Sequence, residues 1–428
     1  MGEANRVVIL GANGTMGAGA ACVFAGAGYH VTMLARDRAK AEAGLRAAES
    51  AARAEALGER IELGVYDDLK RSVTAANFVF ESLAEDLALK RHYFEQVDQA
   101  RRPECVVATG SSGLSIAEMA RGRSDSFRRN FLGVHLFNPP HVIVGTEVIP
   151  GPDTNQKVTD DVVAMLTRRL GRKVIVTADR PAFVGNRVGF KVLNETARLA
   201  EEHGVAFIDY LIGPQTGRAM PPLATIDLVG WDVHKAIVDN VYANCASDEA
   251  HAAFKLPAFM DKGLAAGQLG DKTPETGGFY RKNGKETLAL DPKSGKHAPV
   301  KRPAPIEFVE RMKRANRVGR YGEAMRTLAE AKGAEADLCR RVVLGYVSYG
   351  LGRVGEVAKA TADVDLIMSF GFNWAPPCAI VDLIGAKQTV ALLERLALPV
   401  PEAVEQSARK GLKLFEGGLL EYGRTFVG

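Results

Sequence analysis

The sequence predicts an α/β chain: a doubly wound sheet followed by two all-α helical domains that repeat one another. Short apolar runs alternate with helical segments up to about residue 180, which is the pattern of a largely parallel sheet. A glycine-rich turn joins the first strand to the first helix. The rest of the chain reads as helices, and two of its stretches resemble each other.

The glycine turn follows the first apolar run, residues 6–10. Gly11 permits a sharp turn, Gly14 removes a side chain where a pyrophosphate would approach, and Gly17 allows close helix–sheet packing. The helix then offers free N–H groups to phosphates. The GxxGxxG spacing holds one residue more than the commoner GxGxxG, and we place the extra residue at Asn13. The prediction is a Rossmann-type dinucleotide site formed by Gly11, Asn13, Gly14, Thr15, Met16 and Gly17; the alternative is an ordinary close-packed turn.

The remaining elements follow in order. Further strands are predicted at 31–34, 77–81, 105–108, 131–136, 146–149 and 173–176. Helices are predicted at 36–60 (one helix or a pair), at 115–120 with Ser115 as its cap, and at 187–203. Turn residues between 277 and 295 suggest a small β-hairpin. Lysines and prolines in 296–305 suggest a linker, and helices resume at Ile306.

An internal repeat lies in the helical part. Asp209 precedes a Pro-Pro step and Asp227, and Asp365 precedes a second Pro-Pro step and Asp382. The equivalent aspartates lie 156 and 155 positions apart, which indicates duplication of one helical domain. We therefore expect a dinucleotide-binding domain at 1–180, a first helical domain at 181–295, a linker with a connecting helix at 296–330, and a second helical domain at 331–428.

Composition excludes several classes of protein. The 428 residues carry a formal net charge of +4 without a basic run rich in aromatics, so we expect no nucleic-acid partner. The five cysteines are scattered, which argues against a disulfide framework or a metal cluster and for a reducing, cytoplasmic location. A strand is predicted within a few residues of the start, so we expect no signal peptide, and no apolar run is long enough for a membrane span.

Three stretches carry candidate chemistry. His135 ends a predicted strand, and Glu147 lies in the next strand twelve residues on. An imidazole steadied by a carboxylate can take the hydroxyl proton of an alcohol as its hydride leaves; the alternative is a structural histidine. Ser112, in a polar turn, can hydrogen-bond a substrate oxygen or merely enter a helix. Asn186 can donate to a substrate carbonyl or cap a helix.

Together these stretches resemble the 3-hydroxyacyl-CoA dehydrogenase family. The resemblance runs in order from residue 5 to about 280. It is carried by the glycine turn, residues 80–90, the His-x-Phe-Asn-Pro run with its Glu, residues 183–187, residues 217–222 with Asp227, and residues 267–273 with 278–280. The repeated domain resembles the dehydrogenase half of multifunctional fatty-acid oxidation proteins.

The resemblance implies a (3S)-3-hydroxyacyl-CoA dehydrogenase acting on an acyl-CoA thioester. It implies that His135 is the general base, Glu147 its partner, and that Ser112 and Asn186 polarise the substrate oxygen. Residues at family positions that contact the dinucleotide are Glu85, Lys90, Ser112, Asn138 and Lys272. Two alternatives stay open: a dehydrogenase of a free hydroxy acid or sugar acid, and a catalytically silent dinucleotide-binding relative.

Three departures from the family pattern stand out. The glycine turn has its extra residue. Gly110 and Gly113 flank the serine pair, which leaves the register of Ser111 against Ser112 open. Ala35 and Arg36 occupy the end of the second strand, where the family has an Asp. That change permits NADP, with Arg36, Arg38 and Lys40 as candidate phosphate partners. The family resemblance implies NAD, with Asp37 as the alternative partner of the ribose, so NAD ranks slightly ahead and NADP stays open.

The duplication also bears on assembly. In relatives the helical domain makes the dimer contact. In this chain the second copy can occupy that surface, so we expect a monomer, or a homodimer formed through another face.

Overall fold

The computed structural model describes residues 5–417. The chain divides into two compact units, Met1–Phe183 and Val184–Gly428. Residues 1–4 and 418–428, which belong to the first and last expected domains, lie outside the described residues.

The first unit is built on an eight-stranded sheet. Its order is β3-β2-β1-β4-β5-β6-β7-β8. Neighbouring strands are parallel except β6 and β7, which are antiparallel. The strands are β1 (Arg6–Leu10), β2 (His30–Ala35), β3 (Ile61–Val65), β4 (Phe78–Glu81), β5 (Val106–Thr109), β6 (Phe131–Leu136), β7 (Gly145–Pro150) and β8 (Lys173–Val176).

Helices cover both faces of this sheet. They are α1 (Thr15–Gly26), α2 (Arg38–Ala52), α3 (Leu69–Thr74), α4 (Leu87–Ala100), α5 (Ile116–Ala120), α6 (Asp125–Arg129) and α7 (Gln156–Arg168). Successive β1 residues face opposite sides of the sheet: Ile9 packs in one core cluster with Phe24 of α1, and Leu10 packs in the other with Phe94 of α4. The predicted doubly wound α/β fold is confirmed.

The strand order creates the place where a ligand binds. β1 pairs with β2 on one side and β4 on the other, so the chain changes direction across the sheet at this point. Ligands of open α/β sheets bind outside the carboxyl ends of the strands at such a switch point. The carboxyl ends of β1, β4, β5 and β6 share one edge, which we call the carboxyl edge.

Two features of this sheet were not predicted. β3 was missed because it is a half-exposed edge strand whose Glu62 and Gly64 break the apolar run. The antiparallel pairing of β6 with β7 was not predicted either, because a strand's direction depends on the path of the loop before it.

The second unit is mainly helical. Its helices are α8 (Gly185–His203), α9 (Val205–Leu211), α10 (Pro222–Val229), α11 (Trp231–Asn244), α12 (Ala258–Ala265), α13 (Glu307–Arg317), α14 (Tyr321–Glu330), α15 (Ala334–Leu351), α16 (Thr361–Gly371), α17 (Pro377–Ile384), α18 (Ala386–Arg395) and α19 (Glu402–Lys410). A small sheet interrupts them, with β9 (Tyr280–Asn283), β10 (Glu286–Asp291) and β11 (Lys296–Pro299) in the order β11-β10-β9.

The linker prediction for 296–305 was wrong in its first part. Residues 296–299 form β11, which pairs antiparallel with β10. On its other side β10 pairs with β9, and the β10 side chains Leu288 and Leu290 are buried. The lysine and proline content of 296–299 is that of an exposed edge strand, where proline is tolerated.

The two copies of the repeat have the same local structure. Asp227 accepts hydrogen bonds from two consecutive backbone N–H groups, those of residues 279 and 280, and Asp382 does so from those of 414 and 415. Asp209 and Asp365 each accept from the backbone near the start of the helix that follows, α10 or α17. The duplicated sequence therefore folds twice into one arrangement.

The copies also contact each other through the same surface. Segments 217–219 and 373–375 pair antiparallel through backbone hydrogen bonds of 3.2 and 2.7 Å. Arg218 and Trp374, which are 156 positions apart, form the central bridge, and the Arg218 guanidinium lies 4.6 Å from the Trp374 ring centroid. In a two-fold dimer, equivalent segments of two subunits meet in this way. Here both segments belong to one chain.

Within residues 5–417, no helix is long and apolar enough to cross a bilayer. The same residues contain no group of three or more His, Cys, Asp or Glu side chains placed to hold a metal ion.

Candidate active site

The glycine turn begins the candidate site at the carboxyl edge. Gly11 directly follows β1 with a φ of +76°, a conformation that favours glycine, and a Cβ there would overlap the Ser82 carbonyl. Its N–H donates to Tyr66 Oη at 3.2 Å, and Gly14 N–H donates to Gly11 O at 3.2 Å. The turn is thus held between the ends of β1, β3 and β4.

The other two glycines of the turn are needed for different reasons. A Cβ on Gly17 would overlap the Gly11 carbonyl, so Gly17 brings α1 against the turn. Gly14 is exposed, and a Cβ there would approach only Gly11 O, at 3.6 Å. Gly14 is the N-cap of α1 and makes no side-chain cap hydrogen bond, so the helix start presents its N–H groups beside bare backbone. This cradle fits a pyrophosphate, and Asn13 and Thr15 are exposed beside it.

This difference between the glycines is testable. Gly14→Ala should leave the melting temperature nearly unchanged because its Cβ has room, yet weaken dinucleotide binding about tenfold or more by filling the approach to the helix start. Gly17→Ala is the matched variant and should lower the melting temperature, because its Cβ meets backbone. Calorimetry and equilibrium binding measure the two effects. Unchanged affinity in Gly14→Ala would remove the pyrophosphate from this turn.

A buried ion pair forms the next part of the edge. Glu81, the last residue of β4, is fully buried and accepts from Lys90 Nζ at 2.7 Å and from Thr109 Oγ1 at 2.6 Å. It also accepts from the backbone N–H of Leu83 at 2.5 Å. Lys90, on α4, is equally buried. These bonds fix the turn after β4 to the end of β5.

Glu85 and the serine pair extend this network. Ser111 is buried, its hydroxyl donates to Glu85 Oε1 at 2.5 Å, and it accepts from the N–H of Leu114. Ser112 is less buried, and its N–H donates to the same carboxylate oxygen at 3.0 Å. Lys90 Nζ lies 3.4 Å from the other oxygen of Glu85. The Ser111 hydroxyl is thus hydrogen-bonded to Glu85 at the carboxyl edge. The substrate-binding role of Ser112 stays a prediction.

His135 and Glu147 lie directly opposite each other in the antiparallel β6–β7 pair. His135 Nδ1 is 2.6 Å from Glu147 Oε2, and both side chains are buried. An ionised Glu147 carboxylate only accepts hydrogen bonds, so its partner is an Nδ1–H, and a neutral ring with this tautomer keeps its lone pair on Nε2. The predicted pair therefore exists, at the end of β6 where the carboxyl edge begins.

Two aromatic rings flank His135. The Phe137 and Phe183 centroids lie 4.7 and 5.7 Å from the imidazole centroid. Ala182 and Phe183 both adopt positive φ, 62° and 51°, which is unfavourable for residues with a Cβ. The backbone strain is stored where the Phe183 ring is brought against the imidazole.

The other predicted residues are spread over both units. Arg36 is exposed directly after β2, and Asn138 is exposed two residues after β6. Asn186 is buried in the first turn of α8, and the exposed Lys272 pairs with Asp232 at 2.7 Å; both belong to the second unit. Their roles toward substrate and dinucleotide stay predictions.

Known proteins match this chain along most of its length. The family model described as the NAD binding domain of 3-hydroxyacyl-CoA dehydrogenase matches residues 6–180, and the C-terminal domain of the same enzyme matches 183–282. A probable 3-hydroxyacyl-CoA dehydrogenase of Deinococcus radiodurans is 32% identical over 291 residues, which are 65% of this chain and 82% of that protein. The chain belongs to the 3-hydroxyacyl-CoA dehydrogenase family.

Two further members of the family align with more of the chain. A probable 3-hydroxyacyl-CoA dehydrogenase of Bacillus subtilis is 31% identical over 369 residues, 84% of this chain. The chain spans only 46% of the length of that relative. The crystal structure of 3-hydroxybutyryl-CoA dehydrogenase from Escherichia coli K12 covers 96% of this chain and 99% of its own, with a TM-score of 0.67 and 22% identity, and so shares the fold.

The cofactor follows from the family. Residues 6–180 match the NAD binding domain of the family, so the cofactor is NAD. The glycine cradle at the start of α1 fits the pyrophosphate of such a dinucleotide.

Sequence reasoning assigned no role to several residues of this family site. Glu81, Tyr66 and Phe183 contact the predicted site residues Lys90, Gly11 and His135. Thr109 donates a hydrogen bond to Glu81. For Glu81 a signal was available, because a carboxylate that ends a buried strand must find a partner, and Lys90 was already a candidate. No pattern in the sequence indicated Tyr66 or Thr109, whose partners lie 55 and 28 positions away.

Proposed function

We propose that the chain is a (3S)-3-hydroxyacyl-CoA dehydrogenase, which interconverts a 3-hydroxyacyl-CoA and a 3-oxoacyl-CoA with NAD. The observation that carries this proposal is the buried His135–Glu147 pair, 2.6 Å apart at the carboxyl edge of the dinucleotide-binding sheet. The names of the relatives supply the substrate class.

His135 handles the proton in this mechanism. NAD held at the turn of Gly11, Gly14 and Gly17 would supply the acceptor for the hydride of substrate C3. His135 Nε2 takes the proton of the C3 hydroxyl, and the electron pair of the O–H bond becomes the second bond of the new carbonyl. Glu147 holds the ring through Nδ1 and stabilises the imidazolium that forms. In the reverse direction Nε2 returns the proton.

Other residues position the reactants in this proposal. The family resemblance assigns hydrogen bonds to the substrate oxygen to Ser112 and Asn186. It assigns contacts with the dinucleotide to Glu85, Lys90, Ser112, Asn138 and Lys272. The packing of Phe137 and Phe183 on the imidazole keeps water from one side of the proton-transfer site.

A substrate panel tests the proposal. 3-Hydroxyacyl-CoAs of rising chain length and the matching free 3-hydroxy acids are offered with NAD, and reduction of the cofactor is followed by absorbance. We expect turnover of thioesters with at least one chain length and much slower turnover of free acids. Turnover of free acids alone would establish the hydroxy-acid alternative, and no turnover with bound dinucleotide would establish a silent relative.

The location proposed for the enzyme is the cytoplasm. All five cysteines are free thiols, and four of them are buried. A protein that keeps its thiols reduced suits a reducing compartment.

We also propose that the protein is a monomer. The two copies of the helical repeat already meet through equivalent segments, 217–219 and 373–375, so the pairing surface is used within the chain. Light scattering at micromolar concentration should give the mass of one chain, 45.9 kDa. A dimer would contradict the proposal. If it dissociates on substitution of Arg218 or Trp374, the contact involves the surface of the two paired segments, and if it is indifferent to both, the contact lies on another face.

A further inference from the structure

The end of β2 decides which dinucleotide a sheet of this type accepts. An acidic residue there binds the 2′-hydroxyl of the adenosine ribose and repels a 2′-phosphate, whereas an arginine nearby accommodates the phosphate. In this chain β2 ends at Ala35, which is fully buried, and Arg36 follows it on the surface. The strand end therefore presents a cation and no carboxylate.

The next carboxylate along the chain is already engaged. Asp37 is the N-cap of α2, and its Oδ1 accepts from the backbone N–H of Lys40 at 2.8 Å. Its Oδ2 lies 3.4 Å from Lys40 Nζ. These bonds hold the Asp37 carboxylate on its own helix, where it serves the helix start and not a ribose.

The other cations of this region are engaged as well. Arg38 donates to the Leu63 carbonyl at 3.0 Å and pairs with Glu42 at 3.4 Å, and Lys40 pairs with Asp37. Within residues 5–417, by contrast, the Arg36 guanidinium forms neither a hydrogen bond nor an ion pair. It is the cation of this strand end that is available to a ligand.

Arg36 also lies on the side of the edge where the dinucleotide must pass. Burial raises the pKa of Tyr66 to about 12, and the positive charge of Arg36 is among the smaller effects that oppose the rise; Arg36 acts in the same way on Tyr93. The Tyr66 and Tyr93 rings are in contact, with centroids 4.7 Å apart, and Tyr66 Oη accepts from Gly11 N–H. The Ala12 N–H of the glycine turn donates to the Leu34 carbonyl at 3.2 Å, so Arg36, two residues after Leu34, is close to the glycine turn.

We propose that the adenosine-ribose end of this site accepts a 2′-phosphate, with Arg36 as its partner, so that the chain binds NADP(H) as well as NAD(H). A guanidinium binds a phosphate through two parallel charge-assisted hydrogen bonds, which a ribose hydroxyl does not offer. The inference rests on the dinucleotide-binding part of the proposed function and is independent of the substrate.

Equilibrium binding to the full chain tests it. Dissociation constants for NADPH and NADH are measured by calorimetry, together with those of 2′,5′-ADP and 5′-AMP as fragment probes. We expect wild type to bind NADPH at least as tightly as NADH. Arg36→Ala should weaken NADPH about tenfold or more and change NADH by less than about twofold, because only the phosphate contact is lost.

Arg38→Ala is the matched control. It removes one positive charge two positions away, from a side chain already bound to Leu63 and Glu42, and should leave the NADPH-to-NADH affinity ratio unchanged. The inference is overturned if wild type binds NADPH more than about tenfold more weakly than NADH, or if Arg36→Ala and Arg38→Ala change the ratio equally. Because the readout is binding, failure of the acyl-CoA assay would leave this result standing and refute only the proposed substrate.

Discussion

Replacing His135 by alanine should lower kcat for oxidation of a 3-hydroxyacyl-CoA by about a thousandfold, because a positioned general base contributes factors of this order. Glu147→Gln should lower kcat less, by about a hundredfold, since the ring keeps a hydrogen-bond partner but loses the negative charge that stabilises the imidazolium. Both variants should bind NAD as wild type does, because the glycine turn is untouched. Stopped-flow kinetics and equilibrium binding measure the two quantities.

His141→Ala is the matched control for these variants. His141 lies six residues after His135 and is exposed, so its loss should leave kcat unchanged. Circular dichroism establishes whether Glu147→Gln folds, since that side chain is fully buried. A His135→Ala protein with kcat within about tenfold of wild type would exclude this imidazole as the base.

The largest effect on stability is expected at Glu81. Glu81→Gln leaves the buried Lys90 ammonium without its nearest counter-charge and should lower the free energy of unfolding by about 3 kcal/mol. Glu85, 3.4 Å from Lys90, offsets part of the loss, so Glu81→Gln in a Glu85→Gln background should cost more. Denaturant unfolding measures these differences.

Removing both charges distinguishes the contribution of the ion pair to stability from the contribution of side-chain packing. Adding Lys90→Met to Glu81→Gln should recover part of the lost stability, because no buried charge then remains unpaired. Glu95→Gln is the control: Glu95 lies on the same helix with an exposed side chain 3.8 Å from Arg123, and should change stability by less than about 0.5 kcal/mol. A Glu81→Gln protein as stable as the Glu95→Gln protein would show that Glu81–Lys90 does not hold the edge.

Local patterns predicted the parts of the fold that local interactions decide. The run from β1 through the glycine turn to β2 was predicted because two apolar runs and three glycines at three-residue intervals lie close together in the sequence. β3 and β11 were not predicted as strands, because both are edge strands whose residues are partly exposed and lack an apolar run. Their pairing comes from the neighbouring strands β2 and β10.

The candidate site divides in the same way. His135 and Glu147 were singled out because both lie in one short stretch, and the β6–β7 register places them opposite each other. The contacts of Glu81 with Lys90 and Thr109 join three separate elements, and only Lys90 of these had been assigned a role. The sequence left the register of Ser111 against Ser112 open. The structure shows that the Ser111 hydroxyl donates a hydrogen bond to the Glu85 carboxylate.

The sequence by itself determined the α/β class, the family and the strand, turn and helix formed around the three glycines. Each of these depends on residue types at short, fixed spacings, which backbone sterics and helix or strand periodicity translate directly into structure. Only the tertiary structure decided the direction of β7, the buried network around Glu81, the packing of Phe183 on the imidazole and the pairing of the two repeats. Those features come from contacts between residues distant along the chain, and such contacts exist only once the whole chain has packed.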